Sequence, residues 1–214
     1  MSLIVKICGL STQGSVEAAI EAGADMVGFV FFAKSPRHVS LAEASALGKL
    51  ARGRAAVVAL TVDAQEETIA DITRALRPDL LQLHGNETPE WIEYLRAKFS
   101  LPLMKAVGVA RRADLVAAQA YCAADRLLID AKAPADATLP GGNGLPFDWH
   151  LLEGFAPPAP LMLSGGLDAG NVGEAIRVAR PAGVDVSSGV ERAPGLKDEA
   201  MIAAFVRAAR AAAV

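Results

Sequence analysis

Short apolar runs rich in Val, Ile, Leu and Phe occur eight times along the 214 residues, separated by Ala-rich stretches of helix length. That alternation confines the chain to a parallel sheet with crossover helices. The expected strands are Leu3–Cys8, Met26–Phe32, Ala55–Val62, Leu80–His84, Leu103–Val107, Arg126–Asp130, Leu161–Ser164 and Val184–Ser187. They read as continuously apolar rather than alternating, as strands covered on both faces do. Eight such units favour closure, so the expected fold is α/β: a (β/α)8 TIM barrel, residues 1–214 forming one domain. Helices are expected at Ser15–Ala22, Leu41–Ala51, Gln65–Leu76, Pro89–Lys98, Arg112–Ala120, Trp149–Glu153, Asn171–Val178 and Asp198–Ala212, with Thr88 capping the fourth and Pro89 in its first turn.

The last two units end in turns of Ser and Gly, LMLSGGL (Leu161–Leu167) and GVDVSSGVE (Gly183–Glu191). Glycine lets backbone N–H groups converge on an anion, and a helix starting after the turn adds its positive end. A tight strand-to-helix connection uses the same residues. Position favours the anion, because the loops after strands seven and eight of such a barrel are its usual phosphate site.

A net charge of −3 gives no electrostatic basis for binding nucleic acid or an anionic membrane, and points to a small substrate. The start of the chain is too short in apolar residues for a signal peptide, and no run is long enough to span a bilayer. A cytoplasmic location is expected, with monomer and homodimer both open. Cys8 and Cys122 have neither CxxC nor Cys/His spacing, so no disulfide framework or metal site is indicated.

Chemistry in such a barrel collects at the carboxyl ends of the strands. Cys8 ends the first strand beside Gly9, as a small core residue or as a base activated by a cation. Lys6 shares its face and is a candidate for that cation, facing either the interior or solvent. Strand eight adjoins strand one on closure, so an interior Lys6 would pair with Asp185, with Lys105 as a further member. Asp130 ends strand six, as a partly desolvated general acid or as a capping group. Arg37 is a surface arginine or a bidentate carboxylate receptor, and His84 is a satisfied strand-end histidine or a substrate contact. Cys122, placed on a helix, reads as a packing residue. The Pro- and Gly-rich stretch Ala131–Phe147 is longer than an ordinary connection and is a lid candidate.

The segments VKICGL (Val5–Leu10), GFVFFAKSPRHV (Gly28–Val39), LQLHGNE (Leu81–Glu87), LLIDA (Leu127–Ala131), GGNGLPFDW (Gly141–Trp149), LSGGL (Leu163–Leu167) with Asn171-Val172, and DVSSGVE (Asp185–Glu191), in this order, resemble the phosphoribosylanthranilate isomerase family along nearly the whole chain. The resemblance implies a cofactor-free Amadori rearrangement of N-(5-phosphoribosyl)anthranilate to 1-(2-carboxyphenylamino)-1-deoxyribulose 5-phosphate in tryptophan biosynthesis. It implies Asp130 as general acid and Cys8 as general base. Arg37 would hold the anthranilate carboxylate, with further substrate contacts at His84, Gly144, Gly165, Gly166, Ser188 and Gly189. Gripping phosphate and carboxylate at opposite rims would fix the sugar carbons between acid and base. Asn143 stands where a Thr is common in the family, and would replace any hydroxyl contact.

The rival readings are another phosphate-binding isomerase, a Schiff-base aldolase acting through Lys132 or Lys105, and a non-catalytic ligand-binding barrel. The first, such as the related isomerase of histidine biosynthesis or a dual-substrate isomerase, would use carboxylates as both acid and base, as resemblance to that group implies; here Cys8 occupies the base position. Cys8, Arg37 and Asp130 together argue against the third.

Overall fold

The computed structural model describes residues 3–133, Leu139, Gly141, Gly144 and 147–213. Within them, β1 (Ile4–Cys8), β2 (Met26–Phe31), β3 (Ala56–Thr61), β4 (Leu80–Leu83), β5 (Leu103–Val109), β6 (Arg126–Ala131), β7 (Leu161–Leu163) and β8 (Gly183–Val186) close into a barrel. Each strand pairs in parallel with the next, and β8 closes on β1 with Lys6 beside Asp185. The helices α1 (Gln13–Glu21), α2 (Leu41–Ala51), α3 (Glu66–Leu76), α4 (Pro89–Phe99), α5 (Arg112–Ala118), α6 (Val172–Ala179) and α7 (Glu199–Ala212) follow β1 to β5, β7 and β8.

Local sequence explains the ends of these elements. Thr12 and Ser15 form a capping box on α1, and Ser40 and Glu43 form another on α2. Thr88 caps α4 with Pro89 in its first turn, as expected from sequence. Asp25 Oδ2 accepts the N–H of Val5, Asp79 Oδ2 that of Val57, and Asp125 Oδ2 that of Leu103, at 2.7, 2.7 and 2.9 Å. An aspartate just before β2, β4 and β6 thus satisfies an amide on the preceding strand.

Two apolar layers hold the barrel. Met26, Val58, Leu80, Met104, Ala106, Leu128 and Met162 fill its interior, and a larger set including Val5, Ile7, Phe29, Leu81, Ile129 and Phe205 packs the outer faces of the strands against the helices. Strand periodicity then sends Lys6, Gln82, Asp130 and Asp185 inward and Lys105 outward, since Met104 and Ala106 already occupy the interior positions of β5. Among the described residues no helix is long and apolar enough to cross a membrane.

Three expectations need correction. The Trp149–Glu153 segment forms only a single 3-10 turn, Trp149–Leu152. Cys122 is exposed in a turn after α5 rather than packed. The second glycine turn leads into a 3-10 turn, Ser188–Val190, and a short antiparallel hairpin, β9 (Glu191–Ala193) and β10 (Leu196–Lys197), before α7 begins.

Candidate active site

Cys8 lies at the carboxyl end of β1, buried, directly above Lys6 on the inner face. Its neighbour across the β1–β2 register is Gly28. A Cβ there would sit 3.1 Å from Cys8 Sγ and 3.2 Å from Lys6 Nζ, so the bare glycine leaves the room that thiol and ammonium share. Lys6 Nζ donates to Asp185 Oδ1 at 2.8 Å. The interior Lys6–Asp185 pair is therefore as expected, but Lys105 is no part of it. Lys105 faces the helix layer, where it donates to Glu87 Oε2 at 2.7 Å and to the Gly85 carbonyl at 2.6 Å.

Burial pushes the Cys8 thiol above its ordinary range; Asp185 adds to this and the Lys6 ammonium opposes it. Burial pulls Lys6 down, but Asp185 and Cys8 outweigh it and hold the ammonium above the usual lysine value. The thiol is thus the resting form of Cys8, with a charged Lys6 in place to receive a thiolate.

Asp130 ends the inward face of β6. Its Oδ1 accepts the Ala131 N–H at 2.8 Å, and its Oδ2 lies 3.2 Å from His84 Nε2. The Gln82 amide nitrogen sits 3.0 Å from His84 Nδ1. An amide N–H only donates, so with the Gln82 amide in this orientation Nδ1 accepts and the ring proton is assigned to Nε2, facing Asp130.

Arg37 is buried, with Nε and Nη2 donating to the two oxygens of Glu191 at 2.7 and 2.8 Å. Its side chain leans on the segment that follows β8, next to the second glycine turn, rather than on an opposite rim. Lys132 Nζ is held by Asp114 Oδ1 at 3.0 Å.

Cys8, Asp130, Arg37 and His84 line one cavity at the carboxyl end of the barrel. Gly165, Gly166, Ser188 and Gly144 line the same cavity. Gly189 stands behind it: a Cβ there would fall 1.9 Å from the Leu167 carbonyl oxygen, so the two glycine turns meet backbone to backbone. Of the Ala131–Phe147 stretch, Leu139 and Gly141 also reach the cavity, whereas Asn143 lies outside the described residues. Sequence reasoning missed Gly28 and the pairing of Glu191 with Arg37, and placed Gln82 at the end of the fourth strand without giving it a role. Gln82 alone carried a signal, as an amide inside the apolar run LLQL.

A model of the family described as N-(5'phosphoribosyl)anthranilate (PRA) isomerase matches residues 5–208. The chain belongs to that family. The PRA isomerase of Nitrobacter hamburgensis is 60% identical over 215 residues, covering all of this chain and 96% of that protein. The one from Nitrobacter winogradskyi is 61% identical, over 99% of this chain and 95% of that protein. Among solved structures, the PRA isomerase of Thermotoga maritima matches with a TM-score of 0.89 at 36% identity, over 98% of this chain and 99% of that one. A PRA isomerase in complex with reduced 1-(o-carboxyphenylamino)-1-deoxyribulose 5-phosphate matches with a TM-score of 0.86 at 34% identity, over 98% and 99%. Kinship of this extent makes the chain an isomerase of tryptophan biosynthesis.

Proposed function

We propose that the chain rearranges N-(5-phosphoribosyl)anthranilate to 1-(2-carboxyphenylamino)-1-deoxyribulose 5-phosphate with Asp130 as general acid and Cys8 as general base. The observation that carries the assignment is that thiol and carboxyl, at the ends of different strands, line one cavity, with the Lys6–Asp185 ion pair below the thiol and the His84 ring 3.2 Å from the carboxyl. Protonated Asp130 gives its proton to the ring oxygen, and the C1–O bond breaks to leave a Schiff base. The His84 N–H stabilises the carboxylate left behind. Cys8, as thiolate, removes the C2 proton and the electrons flow to the imine nitrogen, giving an enolamine. Loss of the C2 hydroxyl proton and protonation at C1 deliver the ketone, so the isomerisation is proton-neutral overall.

Arg37 receives the anthranilate carboxylate. Backbone N–H groups at Gly165, Gly166, Ser188 and Gly189 receive the phosphate, with Gly144 closing on Ser188 from the loop, where a Cβ on it would be 3.7 Å from Ser188 Oγ. No cofactor is assigned, the partner is this phosphorylated small molecule, and the working form is a cytoplasmic monomer or homodimer.

The test is the decay of anthranilate-type fluorescence on adding freshly generated substrate to wild type, Cys8→Ser and Asp130→Asn. Each variant should lose on the order of 10²- to 10⁴-fold in turnover while keeping its affinity for a reduced product analogue. Full turnover in either folded variant removes that residue from its role. No turnover by folded wild type would favour a binding barrel.

A further inference from the structure

We propose that Glu191 and Lys197 are positioning residues that fix the Arg37 guanidinium for the aromatic carboxylate of the substrate. The inference rests on the carboxylate-binding reading of Arg37 given above.

Arg37 and Glu191 lie 154 residues apart in sequence, and both side chains are almost fully buried, at 7% and 3% exposure. Two parallel bonds from Nε and Nη2 fix the plane of the guanidinium, not only its place. Glu191 is held in turn. Its Oε1 also accepts from Lys197 Nζ at 2.6 Å, and its Oε2 from the Gly195 N–H at 3.2 Å. The β9–β10 register sets Lys197 opposite Glu191, so the hairpin presents the two charges to each other.

Lys197 carries the network on into the barrel. Its Nζ donates to the Ser187 carbonyl at 2.9 Å and to Ser187 Oγ at 3.1 Å, and that hydroxyl donates to the Cys8 carbonyl at 3.1 Å. A chain of bonds thus ties the guanidinium to the backbone of the base-bearing strand and to the start of the second glycine turn. Despite burial, Arg37 and Lys197 hold the Glu191 carboxyl below its usual range, while burial pulls Lys197 below the ordinary lysine value against the attraction of Glu191. A carboxylate recognised by one arginine depends on the direction of its N–H groups, which a freely rotating side chain would not define.

The experiment compares competitive inhibition by anthranilate, the carboxylate half of the substrate, with that by ribulose 5-phosphate, the phosphate half. Wild type, Arg37→Ala, Glu191→Gln, Glu191→Asp and Lys197→Met are measured with the full-length protein. Glu191→Asp keeps the charge but withdraws it by a methylene, and serves if the neutral variant fails to fold. The expected result is a rise of roughly fivefold or more in the anthranilate inhibition constant and in KM for each Glu191 and Lys197 variant, with ribulose 5-phosphate within about twofold of wild type. Equal movement of both inhibitors, or none, in folded Glu191 and Lys197 variants would overturn the positioning role if Arg37→Ala still weakens anthranilate. Arg37→Ala without effect on anthranilate would instead overturn the carboxylate reading on which the role rests.

Discussion

Lys6 and Asp185 form an ion pair inside the barrel, 2.8 Å apart and with at most 5% of either side chain exposed. Each charge is tolerated there only because of the other. Lys6→Met is therefore expected to destabilise the protein by about 3–5 kcal/mol, while Lys6→Met combined with Asp185→Leu recovers most of the loss. Urea denaturation of the three proteins checks this. A single variant costing less than about 1 kcal/mol, as an exposed pair would, contradicts the account.

The same pair sets the pH response of Cys8. Burial, aided by Asp185, raises the thiol, and Lys6 and Lys197 oppose that rise. Since kcat/KM reports ionisation in the free enzyme, it should climb through the alkaline range as thiolate forms. Stability runs the other way: a folded-state value above the unfolded one contributes fully below the unfolded value and is lost as pH rises through the folded one. Asp185→Asn removes the carboxylate that disfavours thiolate, and the buried Lys6 ammonium is then compensated only by a Cys8 thiolate, so the alkaline limb should move to lower pH. Iodoacetamide alkylation rates against pH give an independent reading. A limb that stays put or moves upward refutes the coupling.

The barrel was legible because each strand is a predominantly apolar run and most intervening segments are of helix length. Lys6 with Asp185 was legible for a topological reason, closure of strand eight on strand one. Lys105 was misplaced because LMKAVGV is apolar on both faces and hides which positions point inward; only packing of Met104 and Ala106 decides it. The hairpin carrying Glu191 and Lys197 was invisible, since ERAPGLK is too short for periodicity and its partner Arg37 belongs to the other end of the chain. Gly28 could not be singled out either, because its importance lies in the space it leaves for two side chains of the neighbouring strand.

His84 Nε2 faces Asp130 Oδ2 at 3.2 Å. In His84→Phe the ring volume is kept and the donor lost. A hydrogen bond to a charged group is worth about 1.5–3 kcal/mol, so kcat should fall roughly 10- to 100-fold if that bond stabilises the carboxylate formed when the ring opens. Stopped-flow turnover under saturating substrate measures it. An unchanged kcat would leave His84 as a packing residue of the strand end.

Gly189 is where the two glycine turns touch. An alanine there would bring its Cβ to 1.9 Å from the Leu167 carbonyl oxygen, and because that oxygen belongs to the backbone and cannot swing aside as a side chain would, the turns themselves must separate. Separation spreads N–H groups that have to converge on one phosphate. Gly189→Ala should therefore raise KM and the inhibition constant for inorganic phosphate together, by on the order of tenfold or more, since each 1.4 kcal/mol of lost anion binding is tenfold. The anthranilate inhibition constant should stay near that of wild type, because Arg37 is anchored through Glu191 rather than through Leu167. Unaltered inhibition by phosphate in a folded Gly189→Ala protein would mean that the anion sits elsewhere, and the assignment of Ser188 and Gly166 would fall with it.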